Sequence, residues 1–397
     1  MTKRSIDKQN SFIIFTTKFN DSQIYFTAQI TDKNADPVSV YKVAYNRILE
    51  IINDEKMFIV HDKVFGSYDY YASIAESRKE VLSQKKIENA LPFTFIQGHP
   101  FWGKGIAGIQ VIAVSVANDG EKVWTIFDGD RPCGYGWKKN GTDFLILQNI
   151  CDPDDYSGSD KREVQTGIMF ERAQQILKKN SGSYHNVVRT WIYIEDILDW
   201  YGEFNKVRNI KYKDFGFIPN GSGGSDKERI YLPASTGIFG SNPDKAAAVM
   251  DVLAVIPGEG SPVKIDQTSG IKQRSPFWYG SAFSRAMCVR EPELTTILLS
   301  GTASIDEEGH SVFIGDTQKQ IHKTVEVIDA LIKEENATLK DICTATVFLK
   351  SADDYPVYEK AVLDLGLTET PAVIVVADVC REELLFEVDA TIVKNVK

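Results

Sequence analysis

The chain has 397 residues, of which 43% are hydrophobic and 25% are charged. This is the composition of an ordinary globular protein, and the length suffices for two or three domains. Lysine and arginine number 45 against 55 aspartates and glutamates, which gives a formal net charge of −10. Because phosphate binding requires excess positive charge, we expect neither a nucleic-acid partner nor a polybasic membrane anchor.

The five cysteines and five histidines are scattered along the chain, and no two cysteines form a CxxC pair. This pattern argues against a disulfide framework and against a protein-ligated metal, and it is typical of a reducing cytoplasm. The most apolar stretch, residues 106–117, is too short to span a bilayer. We therefore expect a cytoplasmic protein with no membrane association and no cofactor.

The first 160 residues consist mainly of strand-favouring sequence. The runs are residues 11–17 and 23–30, which predict a hairpin, and residues 93–97, 106–116 and 122–127. An insert around residues 118–165 has no interpretation from its sequence. The glycine- and serine-rich residues 220–226 predict a mobile surface loop.

An internal repeat organises the remainder of the chain. Residues 165–201 align without a gap with residues 320–356, an offset of 155 residues, and each copy reads as helix, loop, strand, helix. We expect the second copy to continue through two further strands and to be opened by a hairpin of residues 297–305 and 311–314. Helices interleaved with short strands indicate an α+β fold with helices on one face of each sheet.

Four motifs in the C-terminal 100 residues form a recognisable set. They are SGTASIDEEG (300–309), GDTQKQ (315–320), TATVFLKSADDY (344–355) and TPAVIVVADV with LLFEVDATIV (within 370–393). Together they resemble the Rid superfamily, the reactive intermediate deaminases. Simple Rid enzymes hold the substrate carboxylate with an arginine after a Pro-Ala pair, a position that Val373 occupies here, whereas the Rid glutamate of the last strand is present as Glu387.

Further motifs extend the resemblance to most of residues 60–397. They are KVFGS (63–67), IQGHPFWGKGIAGI (96–109), VVRTWIYI (187–194), FNKVRN (204–209), LPASTGI (232–238), YGSAFSRA (279–286) and CREELLFEVD (380–389). With these motifs the chain is similar to the chorismatases. The resemblance implies two Rid-like (chorismate mutase-like) domains, a divergent one with insertions at residues 1–265 and a second at residues 266–397, each a mixed sheet with helices on one face.

The resemblance also implies that the chain cleaves the enolpyruvyl ether of chorismate. That reaction requires an acid that keeps its proton near neutral pH, cations for two carboxylates and a dry pocket. Strand alternation places Leu385, Glu387 and Asp389 on one face within an apolar run, and apolar surroundings raise the pKa of a carboxyl group. Glu387 is therefore the predicted general acid.

Candidate substrate-binding residues follow from the same motifs. They are Arg189, Arg208, Arg285 and Arg381 as carboxylate clamps, Tyr201 and Tyr279 as hydroxyl donors, and Thr302 and Gln320 as lining residues of the cleft. Cys380 has no histidine placed to activate it, and we expect a small buried residue rather than a nucleophile.

Several alternatives remain open at this point. The products are pyruvate and either a dihydroxycyclohexadiene carboxylate or a hydroxybenzoate. Which of the two forms depends on whether water or the ring hydroxyl captures the cation. Both are compounds typical of secondary metabolism. A Rid-type enamine or imine hydrolase and a non-catalytic protein that binds small acids are the other two hypotheses. We expect a small-molecule carboxylate partner and allow for a homotrimer.

Overall fold

The computed structural model describes residues 2–20, 22–87, 92–115, 122–152, 161–217, 231–268 and 282–396. Within these ranges the chain forms three six-stranded mixed sheets, and two helices accompany each sheet. The three sheets follow one another along the chain.

The first sheet has the strand order β1-β2-β3-β6-β4-β5. Its elements are β1 (Thr2–Lys8), β2 (Phe12–Phe19), β3 (Gln23–Ile30), α1 (Pro37–Asp54), β4 (Phe58–Gly66), α2 (Tyr71–Gln84), β5 (Thr94–Gln97) and β6 (Ile106–Val114). The start of helix α1 is capped: the Asp36 carboxylate accepts a hydrogen bond from the Ser39 amide at 2.8 Å, and Pro37 occupies the first turn.

The second sheet has the order β7-β8-β9-β12-β10-β11, and the third has the order β13-β14-β15-β18-β16-β17. The elements of the second are β7 (Val123–Asp128), β8 (Arg131–Lys139), β9 (Thr142–Ile150), α3 (Arg162–Lys179), β10 (Val187–Ile194), α4 (Ile197–Asp214), β11 (Ala234–Phe239) and β12 (Ala248–Pro257). Those of the third are β13 (Lys264–Thr268), β14 (Ala286–Arg290), β15 (Leu294–Ala303), α5 (Thr317–Lys333), β16 (Ile342–Leu349), α6 (Tyr355–Asp364), β17 (Ala372–Val376) and β18 (Phe386–Asn395).

All three sheets repeat one unit. Counted from its own first strand, each sheet has the order 1-2-3-6-4-5, in which strands 4 and 5 are parallel and strand 6 is antiparallel to both of its neighbours. The fourth strand carries the same irregularity near its start in every copy. The register of its pairing with strand 6 shifts between Ile59 and His61, between Val187 and Arg189, and between Ile342 and Thr344. These shifts align the three units residue by residue.

The two faces of each sheet have different roles. One face packs against the unit's own two helices and forms its hydrophobic core, which is the arrangement that an amphipathic helix such as α5 requires. On the opposite faces, residues from different sheets pack together in three further clusters. The α+β class with helices on one face of each mixed sheet is thus confirmed.

The first residues of α3 and α5 are separated by the predicted offset of 155 residues, and so are those of β10 and β16. The described structure contains three units of this topology, two of them within residues 1–265. Residues 118–165, which we treated as an insert, supply the first three strands of the second sheet in their described part. The predicted opening hairpin of the last unit is wrong, because β13 and β14 precede β15 and Ser311 forms only an isolated bridge with Ile305.

Two further points concern the whole chain. Helices α1 and α2 were missed in a region that we interpreted as strands. The loop expected at residues 220–226 lies outside the described residues. None of the described helices is both long enough and apolar enough to cross a bilayer.

A buried ion pair connects the second sheet to the third. Arg189 of β10 donates to an Asp389 carboxylate oxygen of β18 at 3.2 Å, and both side chains are at least 94% shielded from solvent. Thr236 donates to the same oxygen at 2.9 Å. Because two charges have left water here, each depends on the other for compensation.

We expect Arg189→Met to reduce the free energy of unfolding by about 3–5 kcal/mol, because it leaves the Asp389 carboxylate buried without its cation. Denaturant unfolding followed by circular dichroism measures this loss. Lys104→Met, which removes an ion pair with Asp69 on the surface, is the control and should cause no measurable change. Equal effects of the two substitutions would contradict the role assigned to Arg189.

Candidate active site

Glu387 lies on β18, in the middle of the third sheet, where it pairs with Ala303 of β15 and Phe348 of β16. The residue is only 5% exposed. Strand β15 has a bulge here, since its register with β18 shifts between Leu299 and Thr302. A Cβ atom on Gly301, within the bulge, would lie 2.0 Å from the Glu387 carboxyl oxygen Oε1. The glycine therefore provides the space that the carboxyl group occupies.

The Glu387 carboxyl group retains its proton at neutral pH. Burial raises its pKa from the ordinary value of 4.5 to about 8, and the negative charge of Asp389 acts in the same direction. The positive charges of Arg189 and Arg285 oppose the shift without cancelling it. Burial therefore favours the protonated form of this carboxyl group near pH 7, which is the form that the predicted role requires.

Glu387 opens into a pocket between the second and third units, which we call the Glu387 pocket. Its lining residues are Tyr201, Arg208, Ser235, Gly237, Phe283, Arg285, Gly301, Ala303, Ile305, Cys380, Arg381 and Glu387. The lining joins helix α4 and strand β11 of the second unit to strands β15 and β18 of the third. Five of the predicted site residues, of which Glu387 is one, therefore line the same pocket.

Arg208 is the cation whose environment points most directly to a ligand. Its side chain is 1% exposed, and its Nη2 atom donates to the Asn205 side-chain oxygen. The buried Nε atom has no hydrogen-bond partner. The rings of Phe204 and Phe283 lie 5.6 and 5.5 Å from the guanidinium carbon, and no carboxylate of a described residue forms an ion pair with it. A buried guanidinium group in this state is well placed to bind an anion.

Two further arginines line the same pocket. Arg285 immediately precedes β14, is 4% exposed, and lies close enough to Glu387 to lower the pKa of that carboxyl group. Arg381 is anchored by donating from Nη1 to the Gly309 carbonyl oxygen at 2.9 Å and to the Ser311 hydroxyl at 3.1 Å. Together with Arg208, they make the pocket strongly positive around a neutral acid.

Tyr201 and Cys380 both keep their protons in the pocket. Burial raises the pKa of the Tyr201 hydroxyl to about 12, so this group remains a hydrogen-bond donor. Burial also raises the pKa of the Cys380 thiol to about 12, and the nearby Glu387 adds to the shift. A thiol of this kind is a poor nucleophile, since the thiolate is the reactive species. The thiol nevertheless lines the pocket, which we did not expect.

Three predicted substrate-binding residues, one arginine clamp and two lining residues, lie outside the Glu387 pocket. Arg189 is engaged by Asp389, and the Thr302 hydroxyl donates to the Ser300 carbonyl oxygen at 3.0 Å. Gln320 donates to the Glu383 carbonyl oxygen and accepts from the Leu385 amide, both at 2.8 Å. It therefore holds the segment that leads into β18. Tyr279 lies outside the described residues.

Val373 does not face Glu387. It is fully buried on β17 and contacts the position of Gly108 in the first unit, where a Cβ atom would come within 2.8 Å of its methyl carbons. The strand that faces Glu387 is β11 of the neighbouring unit, and the residue after its Pro-Ala pair is Ser235, which lines the pocket. An arginine is therefore missing from that position on both strands.

Ser235, Phe283 and Gly301 line the pocket without having been predicted as site residues, although each lies within one of the motifs described above. The motifs themselves were the signal. These residues come together only because the second unit packs against the third, and the arrangement of the three sheets, not the sequence, reveals that packing.

Only one of the three equivalent positions carries an acid. In the aligned units Glu387 pairs with Phe348, Gly108 pairs with Phe65, and Val249 pairs with Tyr193. Gly108 and Val249 thus occupy the place of Glu387 in the first and second sheets. The carboxyl group is specific to the cleft between the second and third units.

Comparison with known proteins agrees with this architecture. The family model described as Endoribonuclease L-PSP matches residues 280–394. A RutC family protein of Pyrococcus abyssi is 29% identical over 101 residues, which are 25% of this chain and 79% of that protein. A crystal structure of a chorismatase superposes with a TM-score of 0.56 at 15% identity, covering 84% of this chain and 92% of that chain.

The chain has a chorismatase-like fold. At 15% identity the chorismatase structure establishes the fold alone, and the family match places a Rid-like unit at residues 280–394. The predicted resemblance is confirmed at both levels.

We expect the free energy of unfolding of the wild-type protein to fall as the pH rises from 4.5 to 8, relative to the Glu387→Gln variant. The folded state holds the Glu387 proton up to pH about 8, whereas the unfolded chain releases it near pH 4.5. The difference grows by at most about 1.4 kcal/mol per pH unit and then levels off. Urea unfolding at several pH values measures it.

Glu383→Gln is the matched control for this measurement. The pKa of Glu383 lies below its ordinary value because of a hydrogen bond from Ser311. In the Glu383→Gln variant the free energy of unfolding should therefore still contain the fall above pH 4.5 that Glu387 causes. If the free energy of unfolding depends on pH in the same way in the wild-type protein and in the Glu387→Gln variant, the Glu387 carboxyl group is ionised in the folded state and the expectation is wrong.

Proposed function

We propose that this protein cleaves the enolpyruvyl ether of chorismate and releases pyruvate. Support comes from one juxtaposition: a buried, protonated carboxyl group lines the same pocket as a buried guanidinium group that has no carboxylate partner among the described residues. Chorismate carries two carboxylates and an acid-sensitive enol ether, so it needs both features at once. The comparison with a chorismatase supports the same proposal.

In the proposed reaction Glu387 donates its proton to the terminal vinyl carbon of the enolpyruvyl group. The ether carbon becomes oxocarbenium-like. In one branch water adds to this carbon, and the resulting hemiketal breaks its bond to the ring oxygen, which gives pyruvate and the dihydroxycyclohexadiene carboxylate. In the other branch the neighbouring ring hydroxyl oxygen attacks the ring carbon, whose bond to the ether oxygen breaks to release pyruvate, and the ring rearranges to the hydroxybenzoate. Glu387 becomes a carboxylate and recovers a proton from solvent or from the attacking hydroxyl. Arg285, which already acts on the charge of Glu387, stabilises this carboxylate while it lasts.

The remaining pocket residues bind and orient the substrate in this proposal. Arg208 holds one substrate carboxylate, while Arg285 and Arg381 form the positive surface for the other. Tyr201 donates a hydrogen bond from its protonated hydroxyl, and it lies opposite Gly237, 3.5 Å from the position that a Cβ atom would occupy there. The contact between Tyr201 and β11 limits the room for the substrate ring on that side.

We expect the full-length protein to release pyruvate from chorismate, measured with lactate dehydrogenase and NADH. Glu387→Gln should lower kcat by about 10²–10⁴-fold with little change in KM, because it removes the proton donor and keeps the shape of the side chain. The value of kcat/KM should decline above pH about 8, where Glu387 loses its proton. A folded protein that releases no pyruvate at high enzyme concentration would refute the proposal.

Arg208→Met should raise KM about 10–100-fold through the loss of a charge-assisted hydrogen bond to the substrate. Lys206→Met, two residues away on an exposed part of the same helix, is the matched control and should leave KM unchanged. An unchanged KM in the Arg208→Met variant would remove Arg208 from the substrate site.

The same preparations distinguish the two other hypotheses. A Rid-type hydrolase would release ammonia from freshly generated 2-aminoacrylate, and Val373→Arg tests the position of the Rid arginine. A non-catalytic protein would bind chorismate or a hydroxybenzoate in calorimetry without turnover. Either result, combined with the absence of pyruvate, would replace chorismate cleavage as the function.

A further inference from the structure

Ser235 lies on β11, where this strand borders the Glu387 pocket. Successive residues of a strand point to opposite faces. Here Ser235 and Gly237 line the pocket, whereas Thr236 between them points away and binds Asp389. Ser235 is only 3% exposed. Its hydroxyl group is therefore a buried polar group at the wall of the pocket.

Two hydrogen bonds fix Ser235 from the side of the protein. Its backbone amide donates to the Ser300 hydroxyl oxygen at 2.8 Å, and its own hydroxyl oxygen accepts from the Thr190 hydroxyl at 2.9 Å. Thr190 is completely buried and lies directly opposite Ser235 in the parallel pairing of β10 with β11. Neighbouring strands thus set the position of the Ser235 hydroxyl oxygen.

The hydrogen atom of the Ser235 hydroxyl has no acceptor among the described residues. A serine hydroxyl has one donor, and Ser235 does not donate to Thr190 because Thr190 is the donor of the bond that joins them. A buried donor that is left without an acceptor costs free energy. The Ser235 donor therefore remains available to a ligand in the pocket that it lines.

We propose that Ser235 donates its hydroxyl hydrogen to a carboxylate oxygen of the ligand in the Glu387 pocket, and that Thr190 orients Ser235 for this bond. Ser235 is then a specificity-determining residue, and Thr190 is a positioning residue that acts through it. The inference rests on the proposed function in one respect: the ligand is the substrate to which Glu387 gives its proton.

The surroundings of Ser235 favour a carboxylate as the acceptor. Arg208, Arg285 and Arg381 line the same pocket, and a hydrogen bond to a charged oxygen is stronger than one to a neutral oxygen. The residues that precede Ser235 and Arg285 form a parallel bridge with each other, so both side chains arise from adjacent backbone segments. A carboxylate near Arg285 is therefore close to the Ser235 donor.

Ser235→Ala should raise KM for chorismate about tenfold and change kcat less than about threefold, because the lost bond holds the substrate before and during the reaction. Titration calorimetry with sodium benzoate, a carboxylate without an enol ether, should show a similar loss of affinity. Ser284→Ala is the matched control. Its hydroxyl donates to the Ala286 carbonyl oxygen at 3.3 Å and does not line the pocket, so both values should match those of the wild-type protein.

Thr190→Val tests the orienting role, because it removes the hydrogen bond to Ser235 and nearly keeps the shape of the side chain. KM should rise about two- to fivefold in the wild-type background and stay unchanged in the Ser235→Ala background, since Thr190 acts only through Ser235. Thr190→Ser retains the hydroxyl and should keep KM near the wild-type value. An equal rise of KM in both backgrounds would contradict the role of Thr190.

The two readouts separate this inference from the proposed function. Pyruvate release with an unchanged KM and an unchanged benzoate affinity in the folded Ser235→Ala variant would overturn the inference and leave chorismate cleavage in place. Benzoate binding that depends on Ser235, in a protein that releases no pyruvate, would support the inference and refute chorismate cleavage. A wild-type protein that neither releases pyruvate nor binds benzoate would overturn both.

Discussion

A carboxyl group buried without a cation of its own is the constraint on which the candidate active site depends. Arg189 is the guanidinium group that acts most strongly on the charge of Glu387, but it already binds Asp389, two residues further along β18. Asp389 therefore removes compensation from Glu387 and adds a repulsive charge. The cost of ionisation in this position exceeds what Arg285 supplies, and the proton stays on Glu387.

Threefold repetition of one unit explains where the pocket lies. The sheets meet through the faces that their helices leave uncovered. The residues at equivalent positions of these faces differ. The space at Gly108 is filled by Val373, which closes the contact between the first and third units, whereas Gly301 and the bulge of β15 leave room beside Glu387. Of the three equivalent positions, only that of Glu387 therefore combines an acid with room beside it.

The sequence allowed the helix–strand parts of the second and third units to be predicted, because the offset of 155 residues repeats without a gap, but it did not reveal the opening strands β13 and β14 of the third unit. The first unit was harder. In α1 the buried residues Tyr41, Tyr45 and Ile48 have the helical spacing, yet aromatic and β-branched side chains also favour strands. Tertiary packing against the first sheet decides in favour of the helix, and local sequence does not contain that information.

The candidate site was predicted in part for a related reason. Glu387 follows from its apolar strand, and Arg208, Arg285, Arg381 and Tyr201 follow from motifs. Whether an arginine points into a cleft or into a buried ion pair depends on the neighbouring unit. Arg189 and Arg208 are both buried in aromatic surroundings, and only the position of Asp389 separates the structural arginine from the one available to a ligand.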